Sequence, residues 1–223
     1  MQTSIRTDRW PDFARKDAGV VMITRWRVPS PAAQRAAADA TAEVWARNPW
    51  PEGVLSYSLF AGEDGRTILN HSQWTSLAAY HAFVESERAG RNRAIDDAVP
   101  GIERIARFEH RHHASRVLAE GSTGCVVGVE IEAAPAEDWV KLALAAIDES
   151  GPPSGALAAH FHVDEENGRA FNLAQWTSAD AHHEALARDA LGRSPAWQRV
   201  RDYAGARFAV SRYERLVSMH PAG

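Results

Sequence analysis

Apolar and polar positions along the chain fall into short blocks whose periods alternate between those of strands and helices. Residues 20–28 are apolar and largely β-branched, which predicts a buried strand. Pro31 stands where a helix opens, and Ala33, Ala37, Ala40 and Val44 then recur at helical spacing. Asn48, Pro49, Pro51 and Gly53 interrupt that period and predict a loop. Residues 54–61 and 67–74 flank Gly62-Glu63-Asp64-Gly65 as the arms of a hairpin. Thr75 and Ser76 offer an N-cap to a helix with Leu77, Tyr80, His81 and Val84 on one face. A last strand is expected over residues 102–111. The same order follows in the second half. A strand covers residues 124–133, and a helix carries the stripe Trp139, Leu142, Ala143, Ala146 and Ile147. A hairpin loop spans residues 164–168, and Ser178 and Asp180 begin a helix. Ser194 and Pro195 start a helical piece ending near Tyr203, and residues 206–216 form the last strand.

The halves are copies. Gln73-Trp74-Thr75-Ser76 returns 102 residues later as Gln175-Trp176-Thr177-Ser178, and at that spacing Asn70 falls on Asn172 and His81 on His183. The first strands match at a spacing of 105, from Gly19 to Gly124, so a short gap separates the copies. The chain therefore divides into a leader (1–18), a first module (19–113), a linker (114–123), a second module (124–216) and a tail (217–223). Strand-helix-strand, twice in each copy, is the split βαβ or ferredoxin-like arrangement, an α+β class. Such a module stacks its helices on one sheet face and leaves the other in need of cover. In the second copy Phe171 and Leu173 suit the helix side, leaving Asn172, Ala174 and Trp176 on the opposite face. Two such sheets facing each other are expected to close a barrel around those residues, supplied by one chain instead of two.

Composition narrows the function classes. The chain is 45% hydrophobic and 24% charged, ample for a globular core. It has no apolar run of transmembrane length and no apolar signal region near its start. A net charge of -4 argues against nucleic acid and anionic membranes as partners. The single cysteine, Cys125, excludes an internal disulfide and reads as a buried structural thiol. A cytoplasmic setting is the expectation.

The candidate chemistry lies at the repeated Asn-x-x-x-Trp. With its element order, this motif resembles the antibiotic biosynthesis monooxygenase superfamily of dimeric α+β barrels, here as a fused pair. Within it, the likeness is to cofactor-independent enzymes that oxidise polyketide anthrones to quinones. The resemblance implies a pocket lined by Asn70, Trp74 and Tyr80 with Arg91 or Arg93, and a second by Asn172, Trp176 and Arg193, where His182 replaces the tyrosine. It implies no cofactor and no metal. The partners implied are an aromatic small molecule and oxygen, and the fused pair can associate further as a homodimer.

The chemistry also follows from residue types. Oxygen attacks closed-shell organics only when they are electron-rich, as a deprotonated anthrone is. An amide such as Asn70 and a cation such as Arg91 suit developing oxyanions. Trp74 supplies a flat wall and one N–H. Tyr80, His81, His182 or His183 are candidate proton relays. Against this stand plainer readings. Strand-end tryptophans pack, the asparagines satisfy a bulge, Gln73 and Gln175 are structural and face the helices or a strand edge, and His81 and His183 are core histidines. His160 with His162, and His110 with His112, share strand faces as metal pairs do, but neither pair recurs in the other copy. The sequence thus predicts an oxygen-dependent monooxygenase for a polycyclic aromatic. A non-catalytic binder of an aromatic ligand and a haem-degrading enzyme are the alternatives, though for haem His81 and His183 come early after the tryptophan.

Overall fold

In the computed structural model the elements follow the duplicated order. They are β1 (Ser4–Thr7), β2 (Val20–Arg27), α1 (Pro31–Arg47), β3 (Val54–Gly62), β4 (Thr67–Trp74), α2 (Leu77–Ser86), α3 (Arg88–Ala98) and β5 (Glu103–Val117). The second series is β6 (Cys125–Glu132), α4 (Ala136–Ser150), β7 (Ala156–Asp164), β8 (Arg169–Trp176), α5 (Ala179–Ala187), α6 (Pro195–Arg201) and β9 (Arg207–Pro221). The structure describes residues 4–164, 166–188 and 194–222; Glu165 of the second hairpin loop and the candidate Arg193 lie outside them.

Two compact units result. Unit 1 is Met1–Glu109 with Tyr213–Gly223, and unit 2 is His110–Arg212. The sheet of unit 1 runs β1-β9-β3-β4-β2-β5, and that of unit 2 runs β5-β7-β8-β6-β9. Each is a mixed α+β module of the ferredoxin-like kind. The closing strands differ from expectation. β5 runs past residue 111 to Val117 because residues 111–117 pair with β7. β9 runs past residue 216 because residues 213–219 pair with β3. A ladder partner holds those residues extended, whatever their turn-like composition. The helix α3 was also not expected, since only Arg91 and Ile95 of it are buried.

Local chemistry sets the helix starts. Ser30, Ser76, Ser178 and Ser194 each accept a hydrogen bond from the backbone N–H three residues on, which ties down an otherwise unpaired donor. In the segment before β2, Phe13 is buried against Phe60 and edge-on to His71.

The sheet faces are the reverse of the expectation. Ala170, Asn172, Ala174 and Trp176 face the helices, packed or lining a cavity with α4, α5 and α6 residues. Phe171 and Leu173 lie on the other face, where Phe171 meets the His110 ring edge-on. Both faces are mostly buried, so the alternation that separates them in the sequence carries no sign. Gln73 and Gln175 are on that other face too. Gln73 accepts from Ser56 Oγ at 2.6 Å and donates to Asp12 O at 2.8 Å. Gln175 bonds His160 Nε2 at 2.9 Å and donates to Thr123 Oγ1 at 2.9 Å.

Candidate active site

In β4 the alternation of strand side chains sends Asn70, Ser72 and Trp74 to the helix side. Opposite them, β3 carries a bulge between Val54 and Ser56. The extra residue changes which side chains of β3 share a face with β4, and so sets Tyr57 opposite Ser72. Without it Tyr57 would point away from the helices. β7 repeats the bulge between Ala156 and Ala158, setting Ala159 opposite Ala174.

Between sheet and helices of unit 1 lies a cavity of about 480 Å³. Trp26, Trp45, Trp74 and Phe83 give it aromatic walls, and Asn70, Tyr57, Tyr80 and four arginines give it polar points. The Tyr57 hydroxyl donates to Asn70 Oδ1 at 2.9 Å, which fixes the amide with its oxygen toward Tyr57. One amide hydrogen reaches Thr24 O at 3.4 Å, leaving the other for a ligand. The Trp74 indole donates to Ser72 Oγ at 2.9 Å, and its ring meets Tyr80 edge-on at 5.3 Å.

Charge gathers on one side. Arg88 and Arg107 both donate to the Tyr80 oxygen, at 3.4 and 3.3 Å, and neither pairs with a carboxylate among the described residues. Arg91 is only 5% exposed. One of its nitrogens donates to Glu87 and to Pro49 O, and its cation lies 4.7 Å from the Trp45 ring. Its Nε and Nη1 have no hydrogen-bond partner among the described residues. Two guanidiniums with spare donors, Arg88 and Arg107, and the buried Arg91 cation beside an aromatic slot suit a flat molecule carrying negative charge.

Burial pushes the Tyr57 phenol well above its ordinary pKa, keeping it a hydroxyl donor. The folded protein therefore holds this proton to higher pH than the unfolded chain, whose phenol ionises near pH ~10. Its contribution is intact below that pH and is lost as pH rises beyond it, at about 1.4 kcal/mol per pH unit. Wild type is expected to lose stability above pH ~10 more steeply than Tyr57→Phe, in urea unfolding followed from neutral to alkaline pH. Parallel curves for the two proteins would contradict this.

Unit 2 has a cavity of about 350 Å³ in the corresponding place. Asn172, Trp176 and His182 line it. His182 meets the Trp176 ring edge-on at 4.8 Å, and its Nδ1 accepts from Arg212 Nε at 2.8 Å. An accepting Nδ1 carries no proton, so the ring is neutral with its hydrogen on Nε2.

The fold relates the chain to proteins of known structure. A protein described as anthrone oxidase-like superposes with a TM-score of 0.70 at 14% identity, over 93% of this chain and 95% of that one. A protein of Fusobacterium nucleatum assigned as a monooxygenase gives 0.61 at 11%, over 92% and 96%. Another so assigned, from Lactobacillus acidophilus, gives 0.56 at 9%, over 90% and 95%. This chain shares their fold. No family model and no curated relative matches the sequence.

The structure brings Asn70, Trp74, Tyr80 and Arg91 to one cavity, and Asn172, Trp176 and His182 to another. Arg93 is exposed and lines neither, because on α3 it points away from the side that buries Arg91 and Ile95. His81 and His183 are exposed as well, which corrects their reading as core histidines; the buried members of those helices are Tyr80, Phe83, His182 and Ala185. Among the described residues no group of three or more His, Cys, Asp or Glu side chains is placed to hold a metal. No helix among them is long and apolar enough to cross a membrane. Sequence reasoning missed Tyr57, Arg88, Arg107 and Arg212. Two of these carry a signal. Arg107-Phe108-Glu109 returns as Arg212-Tyr213-Glu214 at the spacing of the first strands, and each arginine donates to the residue at position 80 or its counterpart 182.

Proposed function

We propose that unit 1 is a monooxygenase that oxidises an acidic, electron-rich polycyclic aromatic, of anthrone or hydroquinone type, with molecular oxygen. The observation that carries this reading is the set of spare N–H donors of Asn70, Arg88 and Arg107, with the buried Arg91 cation beside them, at an aromatic slot. Such donors stabilise the enolate or phenolate whose electron density oxygen needs. The neighbours' names, anthrone oxidase-like and monooxygenase, support the same class.

For an anthrone the steps are these. The substrate lies between the aromatic walls with its oxygen toward the guanidiniums, which lowers the cost of removing a proton from the ring CH2 carbon. The Tyr80 oxygen accepts from Arg88 and Arg107, so its hydroxyl offers a proton beside that end, and the proton lost from the ring carbon passes to water. Oxygen joins the carbanionic carbon and is reduced to a hydroperoxide. Loss of the remaining C–H proton and cleavage of the O–O bond leave a carbonyl and release water, so one oxygen atom enters the product and one becomes water. Asn70 N–H holds the oxyanion through these charge changes, between the aromatic walls.

The test is aerobic turnover of 1,8-dihydroxyanthrone by metal-free protein, with oxygen uptake recorded and labelled oxygen traced. Uptake of one O2 per quinone, with one labelled atom in the product, is expected. Saturable binding without uptake would replace this reading by that of an aromatic-ligand binder. Trp74→Phe keeps a wall but loses the indole N–H and part of the stacking area, and a fall of about tenfold in kcat/KM is expected.

A further inference from the structure

The oxidation proposed for unit 1 uses the helix side of its sheet. On the opposite face of the unit 2 sheet, β5, β7 and β8 bring together polar side chains that this reaction does not use. The ladder of β5 with β7 slips between His112 and Ala114, so that His112 stands opposite His162 and Ser115 opposite His160. In a regular strand residues three apart point to opposite faces, and the bulge puts His112 and Ser115 on the same one. There Ser115 Oγ lies 2.8 Å from His160 Nδ1 and 2.8 Å from His112 Nε2. His160 Nε2 lies 2.9 Å from Gln175 Oε1, and Gln175 Nε2 donates to Thr123 Oγ1 at 2.9 Å.

The amide sets the protons of this chain of contacts. Gln175 turns its oxygen to His160, and a carbonyl oxygen only accepts, so His160 Nε2 carries a hydrogen. In the neutral ring Nδ1 is then the acceptor and takes the hydroxyl hydrogen of Ser115. Ser115 has only that hydrogen to give, so His112 Nε2–H donates to its oxygen. A hydroxyl on a base whose far nitrogen is held by a third group is the arrangement that activates a serine. Burial suits the two roles: His160 is 6% exposed, while Ser115 is half-buried and keeps some surface. The other repeat lacks the pairing. There Ser58 stands where His160 stands, opposite Ser218, and it donates to the Ser218 hydroxyl at 3.0 Å.

We propose that Ser115 is the nucleophile of a second, hydrolytic site that takes the acyl group of an activated aryl ester and hands it to water. As Ser115 Oγ bonds to the ester carbonyl carbon, its proton passes to His160 Nδ1. The bond from that carbon to the aryl oxygen breaks, and the aryl oxide leaves with the proton. Water then attacks the acyl-serine, giving a proton to His160, which returns it to Ser115 Oγ as the carboxylic acid departs. His112 N–H stands beside the oxyanion formed in each step. With one such donor, an ester with a good leaving group is the fitting substrate. Gln175 is a positioning residue that keeps His160 Nδ1 toward Ser115. All of this rests on atoms of unit 2 and holds whether or not unit 1 is an oxygenase.

The probe is p-nitrophenyl acetate, added to the full chain with p-nitrophenol release followed by stopped flow. Protein quenched during turnover is expected to carry an acetyl group on Ser115, located by peptide mass spectrometry. Ser115→Ala is expected to abolish the protein-dependent release, and His160→Gln to slow it about 10²-fold. Gln175→Glu sets a carboxylate on the His160 N–H, which favours the protonated ring. The acidic limb of the rate should therefore move up by about one pH unit, whereas loss of mere packing would change the rate and leave the limb in place. Should His160→Gln not fold, the acetyl group on wild-type protein and the Gln175→Glu profile decide. Three results would each overturn the proposal: acetyl found only on other side chains such as Lys16 or Lys141, release by Ser115→Ala at the wild-type rate, or an unmoved limb in Gln175→Glu.

Discussion

Asn70→Ala is expected to lower kcat for aerobic anthrone oxidation by about 10²–10³-fold, the usual loss when one oxyanion donor is removed. The amide earns this weight from its setting. It is 2% exposed, and Tyr57 holds its carbonyl oxygen at 2.9 Å, so the NH2 is turned before substrate arrives. Donation then needs no reorganisation as charge develops. Tyr57→Phe keeps the amide and loses only its orientation, so a smaller fall of about tenfold in kcat is expected, with KM little changed. A graded pair of losses, read from initial rates of oxygen uptake, separates a donor from a mere packing residue. The parallel change Asn172→Ala assigns the reacting copy: a loss there as large as that of Asn70→Ala would move the oxidation to unit 2.

Gly53→Ala is expected to destabilise the protein by about 3 kcal/mol, a large share of a typical domain's total. Gly53 has a positive φ of +79°, which for an L residue with a Cβ costs about 1–2 kcal/mol. The added Cβ would lie 2.5 Å from the Cβ of Ala79 on α2 and 2.8 Å from Thr75 Oγ1. Neither can give way alone, because Thr75 N–H donates to Gly53 O and the helix cap follows directly at Ser76. Relief requires moving the helix that carries Tyr80 and Phe83, at a further cost of about 1–3 kcal/mol. Gly155 repeats the arrangement in unit 2, with φ +85° and Ala181 Cβ at 2.6 Å, so Gly155→Ala should behave alike. Gly90 in α3 is the contrast. A Cβ there meets nothing within 4 Å, and Gly90→Ala should be neutral or slightly stabilising. Urea midpoints of the three variants decide the matter, and equal midpoints would refute the steric argument.

Much of the candidate site is legible in the sequence. Asn70, Trp74 and Tyr80, named by the family resemblance, meet in one cavity on elements whose period is written in the sequence, whereas Arg91 joins them from α3, whose pattern is not. The histidines of α2 and α5 were misread because a helix face inferred from Leu77, Tyr80, His81 and Val84 is about one residue too wide; Tyr80 and Phe83 define the buried side. Arg88 sits on a helix with only two buried residues, too weak a pattern to place it. Tyr57 reaches Asn70 only through the bulge in β3, and no local rule announces a single inserted residue.

Duplication, element order, serine caps and hairpins belong to the sequence by itself, since each depends on residues near one another in the chain. Which sheet face receives the helices, where β5 and β9 end, and which arginines gather at Tyr80 were decided by tertiary structure. The reason is physical. A strand buried on both faces alternates without saying which side is which, and a charge far along the chain is brought to a site only by the pairing of strands.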